Sequence, residues 1–70
     1  MRKNSILTPR ELEIFKLLVK NSTTSDISEK LGISEKTVRN HISNVIQKLG
    51  LKGRTQAIVE LIKLEELSIE

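Results

Sequence analysis

Three residues, Gly32, Ile33 and Ser34, are all that separate two amphipathic segments near the middle of the chain. Gly32 is suited to end a helix because glycine adopts left-handed backbone angles without steric cost. Ser34 is suited to begin the next helix because its hydroxyl can accept a backbone N–H. Two helices joined by a glycine-containing turn of this length form a helix-turn-helix unit, which the sequence therefore predicts.

Apolar periodicity and capping residues predict four helices, and no segment alternates as a β-strand would. The first helix has Thr8 as its N-cap, Pro9 in its first position and Glu11 three residues after the cap. We expect residues 1–6 to be a flexible N-terminal arm and residues 67–70 a tail. The predicted fold class is all-α, a single domain with helices over about 9–20, 24–31, 35–49 and 54–66.

Composition excludes several classes of function. The 70 residues contain no cysteine and one histidine, His41, so we expect no disulfide, no metal site and no cofactor. No nucleophile has a recognisable base beside it, so we expect no catalytic residue and no small-molecule substrate. No apolar run is long enough for a membrane span or a secretory signal, which makes the cytoplasm the expected location. A single aromatic residue, Phe15, disfavours recognition of single-stranded RNA by base stacking.

Charge is distributed unevenly along a chain whose formal net charge is +3. Residues 34–56 carry five Lys or Arg and one Glu, whereas residues 57–70 carry one Lys and four Glu. A basic central segment followed by an acidic end indicates that one surface meets an anionic polymer while the end of the chain is kept away from it.

The third predicted helix has two distinct faces. One is an apolar stripe, about 100° wide, that anchors the helix to the core. The other has no acidic residue after Glu35, although ordinary exposed faces mix Glu with Lys in i,i+4 pairs. Because Arg can bind guanine and Asn can bind adenine, the set suits base edges in DNA; the alternative is a solvated face without a ligand. Its polar residues are Lys36, Arg39, Asn40, Ser43, Asn44 and Gln47.

Three stretches of the sequence carry a resemblance to a known family: LTPRELEIFKLL, DISEKLGIS and TVRNHISNVIQKLGLKGRTQAIVEL. Together they resemble the LuxR/GerE-type helix-turn-helix domain over residues 7–64. The resemblance implies a four-helix domain that binds double-stranded promoter DNA as a homodimer, with its third helix in the major groove. No receiver or ligand-sensing domain accompanies the match, and we expect the chain to be a complete protein rather than an excised domain.

The resemblance also implies roles for individual residues. The expected base contacts are made by Arg39, Asn40 and Ser43. Lys48, Lys52 and Arg54 are either ordinary solubilising charges or, because they lie near the third helix, contacts to the DNA backbone. The expected contacts to the DNA backbone are made by Ser34, Lys36, Thr37, Gln47, Lys52 and Arg54.

Two further residues have alternative interpretations. Glu11 completes the capping box and, as the resemblance suggests, could also pair with Arg54 across the first and fourth helices. His41 lies at the edge of the apolar stripe, so we expect a structural histidine, with a phosphate contact or pH sensing as the alternatives.

The fourth predicted helix has apolar residues over about 220° of its circumference, more than a small domain can bury. The residues that suit the core are Ala57, Ile58, Leu61 and Leu64. This leaves Val59 and Ile62 as an exposed stripe with Glu66 on the same side, which we predict to be the homodimer interface. Two stray surface residues are the alternative.

The competing function is a helical protein-interaction module that docks through its apolar faces without specific DNA recognition. The acidic residues near the end of the chain would support such docking, and RNA polymerase is a candidate partner. These residues are Glu60, Glu65, Glu66 and Glu70. Specific binding to DNA would discriminate between the two functions.

Overall fold

The structure, a computed structural model, describes residues 7–67. The predicted arm at residues 1–6 and residues 68–70 of the predicted tail lie outside this part. The described chain contains no strand, and the predicted all-α fold class is confirmed. Its four helices are α1 (Pro9–Val19), α2 (Thr24–Leu31), α3 (Glu35–Leu49) and α4 (Arg54–Lys63).

The starts of α1 and α2 are fixed by reciprocal caps. The hydroxyl of Thr8 accepts the N–H of Glu11 at 3.2 Å, and the Glu11 carboxylate accepts the N–H of Thr8 at 2.9 Å. Thr23 and Asp26 form the same pair of bonds at 3.0 and 3.3 Å. Each cap satisfies two backbone donors that the helix itself cannot, which explains why both helices begin where they do.

All four helices are followed by a residue with left-handed backbone angles, with φ between 63° and 70°. A later N–H then bonds a carbonyl five residues back, as between Ile33 and Ser28 at 3.1 Å. The same bond between Glu66 and Leu61, at 2.8 Å, ends α4 three residues earlier than the predicted Glu66. The left-handed residues are Asn21, Gly32, Gly50 and Glu65.

Gly32→Ala is expected to lower the free energy of unfolding by about 1–2 kcal/mol, because φ is +69° at this position and a Cβ opposes that conformation. No atom within 4 Å would crowd the added carbon, so the loss comes from the backbone alone. Urea denaturation measures it. Gly32→Asn should lose less, because Asn tolerates left-handed angles; equal losses would contradict the explanation.

α3 occupies the centre of the domain and packs against each of the other three helices. Phe15, Ile27 and Leu61 bring fully buried side chains to the core from α1, α2 and α4. Because α3 is anchored on three sides, its remaining face is held at a fixed orientation. The buried apolar core consists of Leu7, Ile14, Phe15, Leu18, Ile27, Val38, Ile42, Val45, Ala57, Leu61 and Leu67.

Two leucines near the end of α4 have exchanged their expected positions. Leu64, predicted for the core, is 39% exposed, whereas Leu67, predicted to lie in the tail, is 6% exposed. The turn at Glu65 is the cause, because it ends the helix and brings the N–H of Leu67 to 3.2 Å from the carbonyl of Leu61. The apolar periodicity of the sequence continues through this turn and therefore does not reveal it.

Candidate nucleic-acid interface

The entrance to α3 is organised by two hydroxyl groups. The N–H of Thr37 donates to Oγ of Ser34 at 3.0 Å, which caps the helix. Ser34 Oγ in turn donates to Oγ1 of Thr37 at 3.0 Å. Both residues were predicted to contact the DNA backbone; Ser34 is exposed and Thr37 is half-buried. Their position at the positive end of the helix dipole is favourable for an anion.

The exposed side of α3 forms what we call the recognition face, defined by six residues. All six side chains are exposed to solvent, and the opposite side of the helix is buried through Val38, Ile42 and Val45. The structure thus brings the three predicted base-contacting residues together on one helix face. The recognition face consists of Lys36, Arg39, Asn40, Ser43, Asn44 and Gln47.

Lys52 and Arg54 were also predicted to contact the DNA backbone, and both are exposed. Lys52 lies between α3 and α4, and Arg54 is the first residue of α4. The N–H of Lys52 donates to Oε1 of Gln56 at 3.0 Å. This bond restrains the backbone of the segment that joins α3 to α4. The two cations thus follow shortly after the C-terminal end of α3.

A residue to which the sequence assigned no role, Glu35, contacts the recognition face. Arg39 Nη1 donates to Glu35 Oε1 at 3.5 Å, and Thr24 Oγ1 donates to the same oxygen at 3.4 Å. The i,i+4 spacing of Glu35 and Arg39 could have indicated the first contact. The second joins α2 to α3 and depends on the angle between the helices.

Glu11 is the one buried charged residue within 7–67, at 4% exposure. Its Oε1 lies 2.5 Å from Nζ of Lys48, on α3. The predicted alternative pairing with Arg54 is therefore wrong. The partner of the carboxylate comes from the middle helix α3 rather than from α4. Lys48 reaches it because its side chain is long and flexible, although that side chain stays 36% exposed.

The environment of Glu11 lowers its pKa. Burial acts in the opposite direction, since it penalises the charged form. The hydrogen bonds from Lys48 and from the N–H of Thr8, together with the positive charges of Lys48 and His41, outweigh burial and hold the pKa of Glu11 below its ordinary value. Glu11 is therefore a structural carboxylate that links α1 to α3 through Lys48.

His41 is half-buried on α3 and is among the residues that lower the pKa of Glu11. This location agrees with the expected position at the edge of the apolar stripe. The structural role stays a prediction, with a phosphate contact or pH sensing as its alternatives.

The predicted dimer stripe on α4 is unevenly exposed. Val59 is 48% exposed, whereas Ile62 is half-buried and packs against the core. Glu66 is also half-buried and lies after the end of α4. At about 100° per residue, Val59 points almost directly away from the buried Ala57 and Leu61, so it marks the outermost line of the helix.

Within residues 7–67, no group of three or more His, Cys, Asp or Glu side chains is arranged to hold a metal ion. None of the helices in the same part of the chain is long and apolar enough to cross a membrane.

Comparison with known proteins gives consistent matches. The family model described as bacterial regulatory proteins, luxR family, matches residues 5–61. The spore germination protein GerE of Bacillus subtilis is 61% identical over 64 residues, which cover 91% of this chain and 86% of GerE. The transcriptional regulatory protein DegU of Brevibacillus brevis is 52% identical over 58 residues, covering 83% of this chain. The match covers 25% of the length of DegU.

Two solved structures share the arrangement of helices. The transcription factor GerE superposes with a TM-score of 0.93 at 66% identity, over 96% of this chain and all of that one. The response regulator ChrA of a haem-sensing two-component system gives a TM-score of 0.81 at 32% identity, over 93% of this chain and 32% of ChrA. The fold is thus found both as a separate chain and as a part of a longer regulator.

Proposed function

The chain belongs to the luxR family of bacterial regulatory proteins, and we propose that it binds an inverted-repeat promoter site as a homodimer, with α3 in the major groove. At the coarser level it is a GerE-type transcriptional regulator with a helix-turn-helix domain, and the family and its relatives are regulators rather than enzymes. Because one relative is named a spore germination protein, the proposal includes a role in sporulation.

The observation that carries this proposal is the recognition face. Six polar side chains project from one side of a helix that is fixed by packing on its other sides. An α-helix fits the major groove, where Arg can bind guanine O6 and N7, Asn can bind adenine N6 and N7, and Ser can bind several bases. We assign these contacts to Arg39, Asn40 and Ser43.

Contacts to the DNA backbone would come from both ends of α3. At the entrance, Thr37 Oγ1 accepts from Ser34, so the hydroxyl hydrogen of Thr37 can donate to a phosphate oxygen. Lys36 adds a positive charge there, and at the far end Gln47 is followed by Lys52 and Arg54. These contacts would set the orientation of the helix but would not select a sequence.

The homodimer would form around Val59, with Ile62 and Glu66 beside it. An exposed apolar side chain on the outermost line of α4 gives a two-fold interface its centre, because each copy can present the same residue to the other. Two recognition helices would then reach successive major grooves, and the half-sites would be about one helical turn, or roughly 10 base pairs, apart.

Selection from a randomised duplex pool at moderate salt tests the proposed function. Sequencing the retained duplexes should reveal an enriched inverted repeat with the stated spacing. Retention without enrichment, vanishing as the salt concentration rises, would reduce the recognition face to nonspecific charge. Enrichment of a single half-site would contradict the homodimer while preserving the DNA-binding role of α3.

Arg39→Ala is expected to weaken binding to the selected site by about 1–3 kcal/mol and to relax preference at one base pair, because a bidentate contact to guanine is lost. Lys36→Ala is the control, since loss of a phosphate contact should weaken binding to all sequences alike. Fluorescence anisotropy on the selected and scrambled duplexes gives both values. Equal losses on the two duplexes for Arg39→Ala would contradict its proposed role.

A protein-interaction module is the second candidate function, and the exposure of Val59 and Leu64 favours it. The acidic residues Glu60, Glu65 and Glu66 lie near these apolar side chains in sequence. An activator could present this surface to RNA polymerase while α3 is bound to DNA. Leu64→Asp in a transcription assay on a promoter already saturated with protein would separate contact with polymerase from occupancy of the site, because Leu64 is exposed and lies outside the proposed dimer interface.

A further inference from the structure

Glu35 contacts the very side chain to which the proposed function assigns recognition of guanine. Arg39 Nη1 donates to Glu35 Oε1 at 3.5 Å across one turn of α3. The two side chains are 55% and 46% exposed, so the contact lies at the protein surface, where Arg39 belongs to the recognition face. Glu35 is the one acidic residue of α3, in a helix that otherwise offers donors and amides on this side.

A second contact holds Glu35 from a different helix. Thr24, the half-buried first residue of α2, donates its hydroxyl to the same Oε1 at 3.4 Å. The carboxylate is thus bonded by α2 on one side and by Arg39 on the other. A side chain with two partners on different helices adopts fewer rotamers than a freely solvated one. Because Arg39 bonds this restrained carboxylate, its guanidinium is also restricted in orientation.

We propose that Glu35 is a positioning residue that sets the base preference of Arg39 and lowers affinity for DNA that lacks the preferred base. The inference rests on the proposed function, because it takes base recognition by Arg39 as its premise. Glu35 would increase specificity at a cost in overall affinity.

The donor inventory of arginine allows both contacts at once. A guanidinium has five N–H donors, and Glu35 uses a donor on Nη1, so others are left for guanine O6 and N7. The charge of Glu35 acts differently, because a carboxylate close to the phosphates weakens binding to every sequence. The orientation of Arg39 by Glu35 increases affinity only for DNA that has guanine at the contacted position. The two effects together raise the ratio of specific to nonspecific affinity.

Two other roles for Glu35 make different predictions. An acidic residue in the first turn of a helix stabilises it through the helix dipole, which would alter thermal unfolding and leave base preference unchanged. A carboxylate at the N-terminal end of a recognition helix could also accept a hydrogen bond from cytosine N4, which would create a preference of its own at a different base pair.

The test is a double-mutant cycle on DNA binding. Wild type, Glu35→Gln, Arg39→Ala and the double variant are titrated with the duplex enriched in the selection and with a scrambled duplex of the same composition, over a series of salt concentrations. Glu13→Gln is the matched control, because Glu13 forms a similarly exposed ion pair with Arg10 at 3.3 Å on α1.

Glu35→Gln should bind the scrambled duplex about threefold to tenfold more tightly, since one negative charge near the phosphates is removed. Its ratio of specific to nonspecific affinity should fall several-fold. In the Arg39→Ala background the same change should tighten binding to both duplexes equally and leave the ratio unaltered. Repeating the selection with Glu35→Gln should show relaxed preference at the base pair that Arg39→Ala relaxes. Glu13→Gln should leave the ratio unchanged, because Glu13 lies on α1, outside the recognition face.

An unchanged ratio in Glu35→Gln would overturn the inference while the proposed function stood, provided that the wild type discriminates between the duplexes. Relaxed preference at a different base pair would overturn it in favour of direct contact between Glu35 and a base. A wild type that does not discriminate would overturn the proposed function and this inference with it.

Discussion

Lys48→Met is expected to lower the free energy of unfolding at pH 7 by about 3 kcal/mol, the lower end of the range for removing one partner of a buried ion pair. The variant leaves the carboxylate of Glu11 at 4% exposure without its ammonium partner. The lower end applies because Lys48 itself keeps 36% exposure, so the pair is not fully removed from water. For a domain of 70 residues this is a large fraction of the total stability.

The pH dependence of this loss follows from the sign of the shift. In the wild type the pKa of Glu11 is lowered, so its stabilising contribution is present above its ordinary pKa of about 4.5 and is lost as the pH falls through the folded-state value. In Lys48→Met burial remains while the contributions of Lys48 are removed, so the pKa of Glu11 should rise from its wild-type value. The variant should therefore be destabilised strongly at pH 7 and much less at pH 4.

Urea denaturation at pH 7 and pH 4 measures both values. Glu11→Gln supplies the control, because the amide oxygen can still accept the N–H of Thr8 while the buried charge is absent. Combining Glu11→Gln with Lys48→Met should recover part of the stability that Lys48→Met loses at pH 7. Equal losses at the two pH values, or no recovery in the double variant, would contradict the assignment of Glu11 as the charge that Lys48 neutralises.

Val59→Asp is expected to convert the proposed dimer to a monomer and to weaken binding to the proposed inverted repeat by about a hundredfold or more. The reason is avidity: once one half-site is occupied, the second subunit of a dimer binds at a high effective concentration, and a monomer loses this advantage. A carboxylate at the centre of a two-fold interface would also face its own copy, because each subunit presents the same residue.

Val59 is a sharper test than Ile62, because its 48% exposure separates dimerisation from folding. Ile62 packs against the core, so Ile62→Asp would also destabilise the monomer. Sedimentation velocity gives the oligomeric state, and titration with duplexes carrying one or two half-sites gives the avidity. Val59→Ile should remain dimeric, and Val59→Asp should bind a single half-site as a wild-type subunit does. A wild type that sediments as a monomer while saturating the inverted repeat would contradict the interface.

Much of the fold could be predicted because its boundaries are local. Thr8, Thr23 and Ser34 cap helices by bonding N–H groups three residues away. Gly32 and Gly50 end helices because a left-handed residue is needed there. The end of α4 was predicted three residues late, since the left-handed residue is Glu65, a residue type that gives no such signal.

The recognition face could also be predicted, because a helix with a regular apolar stripe must expose whatever lies opposite. The contacts that cross between helices could not. Glu11 reaches Lys48, 37 positions later, and Thr24 reaches Glu35 across the turn between α2 and α3. In both cases the sequence contains several residues of suitable charge or hydrogen-bonding capacity, and it does not specify which of them come within bonding distance.

The sequence by itself determined the four helices, the turn between α2 and α3, and the polar face of α3, because caps, left-handed residues and apolar spacing act over a few residues. Only the tertiary structure decided which carboxylate is buried, that Lys48 rather than Arg54 neutralises it, and that Leu67 rather than Leu64 completes the core. These outcomes depend on the packing of the helices against one another. Small differences in packing bring one of several chemically equivalent side chains into contact and leave the others in solvent.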